Sequence, residues 1–276
     1  MQISLIITTY NWKEALQLSL QSVLTQTLLP MEIIVADDGS QSDTADLVQR
    51  FGETSSIPVV HSWQEDKGFR LASSRNKAIA ITKGDYIILI DGDIMLEPHF
   101  IADHRAFANP GHFVQGGRVL LGQELSATAL KSGHLRLPFF AMGVENKKNC
   151  LRSVLLARLF SFKSAGLRGI KTCNCAFWKQ DAISVNGFNE DFVGWGREDS
   201  EFAARLMNYG IKRQNVKFYA LGYHLWHPVN ARNRLTVNDG ILKKTIEKQL
   251  QWCERGIDQY LSGTELITPP RCLLKV

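Results

Sequence analysis

The sequence has no cysteine framework, no long apolar run and no strong excess of one charge. Its five cysteines, Cys150, Cys173, Cys175, Cys253 and Cys272, are an odd set. Cys173 and Cys175 flank only Asn174, which is not the two-residue gap of structural zinc sites. Reduced thiols in a cytosolic protein are therefore expected. No stretch approaches the ~20 apolar residues that a membrane-spanning helix needs. The opening run from Ile3 to Thr9 carries neither a basic leader nor a cleavage site, so no signal peptide is expected and the chain is assigned to the cytoplasm. Lys plus Arg number 32 against 27 Asp plus Glu. That excess leaves no electrostatic footprint for nucleic acid, and no nucleic-acid partner is expected. Acid is missing in one place, from Asn146 to Gln180, where eight Lys or Arg fall.

A chain of 276 residues, 45% apolar and 21% charged, can bury a full-sized core. The first hundred residues alternate strand and helix. Ile3 to Thr8 is a short apolar run that suits a buried parallel strand. From Asn11 a helix is expected with Leu16, Leu20, Val23 and Leu24 on one face, stopped by Pro30. Strands follow at Glu32 to Ala36, near Pro58 to Ser62 and at Tyr86 to Ile90, with helices after the first two, the second from about Leu71 to Thr82. This alternation predicts an α/β fold, a mostly parallel Rossmann-like sheet flanked by helices. In such sheets ligands bind beyond the carboxyl ends of the strands. A crude boundary near Gly122 divides a first part, 1–121, from a second, 122–276, within one compact domain. Phe113 to Leu121, before that boundary, reads as a strand; beyond it Gln123 to Gly143 gives no clear pattern, and Asp199 to Asn208 reads as a helix stopped by Gly210. Leu151, Val154, Leu155, Leu159 and Phe162 recur at helical spacing within the basic stretch.

Acidic clusters stand at two of the expected strand ends. Asp91-Gly92-Asp93 places two carboxylates on a tight turn, able to hold one hard divalent cation and leave room for its other ligands. Asp37-Asp38-Gly39-Ser40 offers a carboxylate to a base N–H or a ribose hydroxyl. Gly194-Trp195-Gly196-Arg197-Glu198-Asp199 joins a flexible, backbone-exposed loop and a stacking indole to two acids at a helix start, where the dipole favours their ionised forms. An ionised carboxylate against an acceptor hydroxyl is what general-base catalysis requires. Tyr223-His224-Leu225-Trp226-His227-Pro228 adds two histidines, either of which would complete a carboxylate metal site. Singly, each cluster also reads as an ordinary turn, helix cap or structural histidine. Together they are far more specific.

The chain resembles the inverting glycosyltransferases of family 2, with the GT-A fold, over nearly its whole length. Thr8-Thr9-Tyr10-Asn11, Asp37-Asp38-Gly39-Ser40, Arg75-Asn76 and Asp91-Gly92-Asp93 carry the resemblance in the first half. The stretch from Asn186 to Asp199 is similar to the C-terminal region of β-1,4-galactosyltransferases and of bacterial chondroitin polymerase-type transferases, which makes 122–276 the part that binds acceptor and supplies the base. The galactosyltransferases have a second glycine where Arg197 stands here, which leaves the acceptor open. The resemblance implies that Thr8, Thr9, Tyr10 and Asp38 hold base and ribose, that Arg75 supports the donor side, and that Asp91 sits near ribose and metal. It implies Asp93 as a ligand of Mn²⁺ or Mg²⁺, with His224 the first choice for the next ligand and His227 the alternative. Asp199 would be the base, with Glu198 and Trp195 on the acceptor sugar. The implied partners are a nucleoside-diphosphate sugar, UDP-linked by preference, and a glycan or lipid-linked glycan acceptor in bacterial surface polysaccharide or lipopolysaccharide synthesis.

Two other classes compete. A nucleotide-sugar-forming nucleotidyltransferase also needs a carboxylate-bound metal on an α/β sheet, but usually brings a Gly-rich phosphate loop, and Thr8-Thr9-Tyr10-Asn11-Trp12-Lys13 is not one. A carbohydrate-binding module would use Trp195 and Trp226 but not three separated acidic clusters. Lys147, Lys148, Arg152, Arg158, Lys163, Arg168 and Lys171, beside the Leu151 to Phe162 stripe, suit a helix lying on the anionic inner face of the cytoplasmic membrane, a core helix with a solvated face, or an acidic glycan.

Overall fold

The computed structural model describes residues 1–133, 143–145, 150–228 and 232–261. In chain order its elements are β1 (Ile3–Thr9), α1 (Lys13–Leu24), β2 (Glu32–Asp37), α2 (Ser42–Thr54), β3 (Val59–Trp63), α3 (Leu71–Ile81), β4 (Tyr86–Asp91), β5 (Ile94–Leu96), α4 (Phe100–Phe107), β6 (His112–Gln115), β7 (Arg118–Leu120), α5 (Gln123–Ser132), α6 (Val154–Phe160), β8 (Phe162–Ser164), β9 (Asn174–Trp178), α7 (Lys179–Ser184), α8 (Glu198–Asn208), β10 (Lys212–Asn215), β11 (Gly222–His224), α9 (Leu235–Glu247) and a 3-10 turn, Ile257–Tyr260.

β1 is buried along its whole length because β2 and β4 flank it, both parallel, and helices cover both faces. Ile3, Leu5 and Ile7 pack with Leu16, Leu20 and Val23 of α1 on one side. Ile6 packs with Ala72, Ala78 and Ile79 of α3 on the other. Leu24, expected on the inward face of α1, is exposed. The main sheet runs β3-β2-β1-β4-β9-β6-β10-β8. The first four strands are parallel, and β9 lies antiparallel between β4 and β6, so a strand from the second half completes the sheet begun by the first. A smaller sheet, β5-β11-β7, stands beyond the end of β4.

Several expectations change. The strand from Phe113 to Leu121 divides into β6 and β7 at Gly116-Gly117, where the side chain of Asn174 lies so close that a Cβ at Gly116 would collide with it. Asn174 donates to Gly117 O (2.6 Å) and Ala220 O (2.8 Å) and bonds the buried His104 (2.8 Å), so one amide fastens the break to the β10–β11 loop. The pattern-poor stretch after Gly122 opens as α5, stopped by Gly133 at φ 71°. Residues 134–142 lie outside the described residues, as do Lys147 and Lys148. The helix expected over 151–162 is only α6; Phe162 has left it for β8, whose backbone pairs with the open edge of β10. Among the described residues, no helix is long and apolar enough to cross a membrane.

Candidate active site

The ends of β1, β2 and β4 meet around one cleft. Thr8 Oγ1 donates to Asp91 Oδ1 (3.0 Å), its register partner across the parallel pair. Gly92 N donates to Thr8 O at 2.7 Å, and a Cβ at Gly92 would also stand 2.7 Å from that oxygen, so the turn between the two aspartates requires glycine. Thr9 O accepts from Asp38 N at 3.0 Å. Asp38 is buried, and its carboxylate accepts from Gln64 Nε2 (2.6 Å) and Arg70 N (2.8 Å), which ties the segment after β3 to the cleft. Burial raises the Asp38 pKa above the ordinary carboxylate range against these bonds. Asp37, by contrast, is spent on structure: it accepts from Gly39 N and Ser40 N and pairs with His61. Tyr10 is half exposed, with its hydroxyl on Asp66 (2.9 Å).

The smaller sheet brings the metal candidates together. β11 pairs antiparallel with β5, setting His224 opposite Ile94, and Leu225 N donates to Asp93 O (3.0 Å). Asp93 Oδ2 then lies 3.5 Å from His224 Nε2 and 3.3 Å from His227 Nε2. The three possible ligand atoms fall within 4.8 Å of one another. Burial, followed by the charge of Asp91, pushes the Asp93 carboxyl up to about 8. Burial, with Arg118 and His227 adding to it, pushes His224 down to about 3, so its imidazole is neutral and has a lone pair to give. Asp93 Oδ1 is buried without a hydrogen-bond partner. A buried carboxylate with an unbonded oxygen beside two imidazoles has the donor set and the electrostatic deficit that a divalent cation would relieve.

Across the cleft α8 starts at Glu198, after Arg197 in the left-handed region at φ 79°. Asp199 Oδ1 accepts from Arg75 Nη1 (2.9 Å) and Thr172 Oγ1 (2.5 Å), and Oδ2 accepts from Thr172 N (3.0 Å). Arg75, on α3, is buried; it also reaches Glu198 Oε1 and Asp91 Oδ1 (3.5 Å each) and lies over the Phe188 ring at 5.1 Å. Its shortest bond goes to Asp199, with Asp91 and Glu198 more distant. Glu198 is pushed up to about 8 by burial first and Asp199 second, with Arg75 opposing, and its Oε2 has no partner. Trp195 is half-buried beneath Arg232, whose guanidinium is 5.1 Å from its ring, and Asn238 of α9 holds Gly196 O at 2.9 Å. Thr8, Asp91, Arg75, Glu198 and Asp199 thus form one connected set of hydrogen bonds and ion pairs, Asp93 meets His224 and His227, and Trp195 contacts Arg232.

The family model described as Glycosyl transferase family 2 matches residues 4–168. The chain belongs to this family. A second model, described as the N-terminal domain of galactosyltransferase, matches residues 156–228, where the sequence had suggested a galactosyltransferase-like region. Among similar proteins are the hyaluronan synthase of Pasteurella multocida (29% identical, 75% of this chain and 23% of that protein) and the chondroitin synthase of Escherichia coli (27%, 80% and 34%). A validoxylamine A glucosyltransferase of Streptomyces hygroscopicus subsp. limoneus is 29% identical over 76% of this chain and 48% of its own length. The chain thus spans a quarter to a half of the length of these relatives. Among solved structures, S. aureus TarS in complex with UDP aligns with TM-score 0.62 at 16% identity, covering 95% of this chain and 70% of that one. The mannosyltransferase PcManGT of Pyrobaculum calidifontis, in complex with GDP-Man and Mn²⁺, aligns with TM-score 0.57 at 17% identity, covering 86% and 60%. These likenesses establish the GT-A fold of the family 2 chain.

Sequence reasoning missed Thr172, Gln64 and Trp63. Thr172 supplies two of the three hydrogen bonds to Asp199, and no motif surrounds it. Trp63, exposed at the end of β3, donates to Ser40 O (3.0 Å) beside the cleft; an aromatic at a strand end next to an acidic turn was the available signal.

Proposed function

We propose that this family 2 chain is an inverting glycosyltransferase that moves a sugar from a nucleoside-diphosphate donor, UDP-linked by preference, to a hydroxyl of a glycan acceptor. One observation carries the reading: Asp93, His224 and His227 gather as a possible metal triad on the same acidic turn, Asp91-Gly92-Asp93, that Arg75 links to the hydrogen-bonded carboxylate of Asp199. The UDP and GDP-Man complexes of the two structural neighbours agree with a nucleotide in that cleft.

Tyr10 and Asp38 take the base and ribose, and Asp91, held by Thr8 and Arg75, fixes the sugar end of the donor. Asp93, His224 and His227 would hold a divalent cation, and two imidazoles beside one carboxylate suit Mn²⁺ better than Mg²⁺, which prefers oxygen. When bound, that ion would neutralise charge developing on the leaving diphosphate. Asp199 accepts from Arg75 and Thr172, and these bonds fix its direction. It takes the proton of the acceptor hydroxyl as the new bond forms at C1 and the bond to phosphate breaks. Attack opposite the leaving group turns an α-linked donor into a β-linked product. Glu198, neutral below about 8, offers its unbonded Oε2 to an acceptor hydroxyl, so the adjacent carboxyls take different roles because their surroundings differ. A specific observation favours a second reading, with Glu198 as the base: its oxygen is unengaged, whereas both oxygens of Asp199 already accept bonds.

Polysaccharide and lipid-linked acceptors, such as those of the synthases and of the diphosphoundecaprenol glucosyltransferase that the chain resembles over part of its length, are the acceptor class we assign. A panel of nucleotide sugars with glycan acceptors tests the reading, scored by nucleoside diphosphate release, product mass and the anomeric proton coupling of the new linkage. A β product from an α donor is expected. Retention, or no transfer across the panel, overturns it.

A further inference from the structure

The β8 edge of the main sheet carries an apolar surface. Leu151, Val154, Leu155, Leu159, Phe160 and Phe162 are all exposed, Leu155 and Leu159 at 67% each. Single exposed apolar side chains are ordinary; six in this short span form a patch, and patches mark a binding partner or a lipid surface.

The patch is held by the fold. Ser153 caps α6 by accepting from Leu156 N, and Ala157 is the residue that α6 buries. Arg152, just before the cap, is fixed to Asp103 of α4 by two bonds (2.9 and 2.6 Å) and lies over the Tyr219 ring at 4.7 Å. Phe160 packs on Phe218, and β8 is paired to β10. At about 100° per residue, Val154, Arg158, Leu155 and Leu159 share one side of the helix. That side is exposed at all four positions.

The charge around the patch has one sign. Arg158, Lys163, Arg168 and Lys217 are exposed, and Lys217 N bonds Ser161 Oγ between α6 and β8 (3.1 Å). No Asp or Glu occurs from Asn146 to Gln180, and the acids nearest Arg152, Asp103 and Glu97, are engaged with that arginine. Leucine and phenylalanine tips rimmed by cations complement an anionic bilayer, where the tips enter below the head groups and the cations meet lipid phosphates. The chain leaving β8 runs on to Thr172, the hydrogen-bond partner of Asp199, whereas the nucleotide half occupies the opposite, β3, edge of the sheet.

We infer that residues 151–162 seat the protein on an anionic lipid surface, with Leu155, Leu159, Phe160 and Phe162 inserted and Arg158, Lys163 and Lys217 at the phosphates. The anchor puts the acceptor side of the cleft toward lipid-linked glycans. That consequence rests on the glycosyltransferase reading; the lipid contact does not.

The test is co-sedimentation of the full chain with phosphatidylcholine vesicles, with and without phosphatidylglycerol, at low and high salt. Binding to the anionic vesicles at low salt should exceed binding to neutral ones by about tenfold or more and fall in high salt. Leu155→Asp with Leu159→Asp should remove it, and Arg158→Ser with Lys163→Ser should remove its salt-sensitive part, both with melting temperature and UDP binding unchanged. The inference is overturned by absent binding, by equal binding to both lipids, or by wild-type binding in the aspartate variant. It is also overturned if the wild type forms a dimer that the aspartate variant dissolves, without lipid binding, since the patch then belongs to a second copy. Lipid binding by a chain that binds no nucleotide leaves the anchor standing and sinks the catalytic reading alone.

Discussion

Arg75→Met tests the electrostatic centre of the cleft. The guanidinium is 2% exposed and serves three carboxylates, Asp199 at 2.9 Å and Glu198 and Asp91 at 3.5 Å. Methionine keeps most of the packing on Phe188 and removes the charge. Breaking a buried pair from one side costs about 3–5 kcal/mol, because the partner is left uncompensated. Asp91, 34% exposed, is screened by water, and Glu198 is pushed up to about 8, so the 2.9 Å bond to Asp199 carries most of the loss at neutral pH. For a chain of this size such a loss lowers the melting temperature by roughly 10 °C. The sign with pH follows from linkage. Burial already holds Glu198 and Asp91 above the ordinary carboxylate range against the charge of Arg75, and removing that charge raises them further. Between the unfolded and folded values the folded state then holds protons that the unfolded state has released, and the variant loses stability as pH rises. The deficit relative to wild type should therefore grow as pH rises through about 8, where wild-type Glu198 releases its proton and the variant's is retained, by up to about 1.4 kcal/mol per pH unit for each extra proton held. Urea unfolding at several pH values reads this directly. Arg75→Lys, which keeps the charge and loses the planar fork, should fall between. A loss below about 1 kcal/mol at neutral pH, or a deficit that does not change with pH, refutes the reasoning.

Asp199→Asn keeps the shape and removes the basic oxygen, so kcat should drop roughly a hundredfold or more with donor affinity nearly intact; near-normal turnover hands the role to Glu198. With the Glu198 carboxyl at about 8 and neutral as a donor, kcat/KM for the acceptor should decline above that pH, and Glu198→Gln, which cannot ionise, should flatten the alkaline limb; an unchanged limb removes Glu198 from the acceptor site. Gly92→Ala sets a Cβ 2.7 Å from Thr8 O, so donor binding should weaken through the displaced Asp91 and Asp93 while the core stays folded; unaltered donor affinity would show that the turn yields at no cost.

The β1–β4 half of the sheet was legible because its signals are local. Short apolar runs ending in Asp37-Asp38-Gly39-Ser40 and Asp91-Gly92-Asp93 place acids at strand ends, and parallel strands with helical crossovers set those ends side by side. The pair Glu198-Asp199 was legible for the same reason, two acids opening a helix after Gly-Trp-Gly. What depends on pairing between distant segments was not. His224 and His227 were left as alternatives, since the register of β5 against β11 that brings both to Asp93 leaves no mark on spacing. Thr172 escaped because it precedes β9, a short strand hidden in a basic stretch and inserted antiparallel between β4 and β6. The family resemblance implied a donor-side role for Arg75; its bond to Asp199, 124 positions away, is a product of packing that no local pattern carries. The apolar spacing from Leu151 to Phe162 overstated α6, because periodicity cannot register the open edge of β10 that draws Phe162 into a strand.

Nucleoside diphosphate release from the active donor, measured in excess chelator and after adding back Mn²⁺, tests the central claim most directly, with wild type and Asp93→Ala side by side. The wild type should be silent in chelator and recover with Mn²⁺, while Asp93→Ala should neither recover nor bind nucleotide in a metal-dependent way. Full turnover in excess chelator, or an Asp93→Ala variant with wild-type rate and metal dependence, contradicts it.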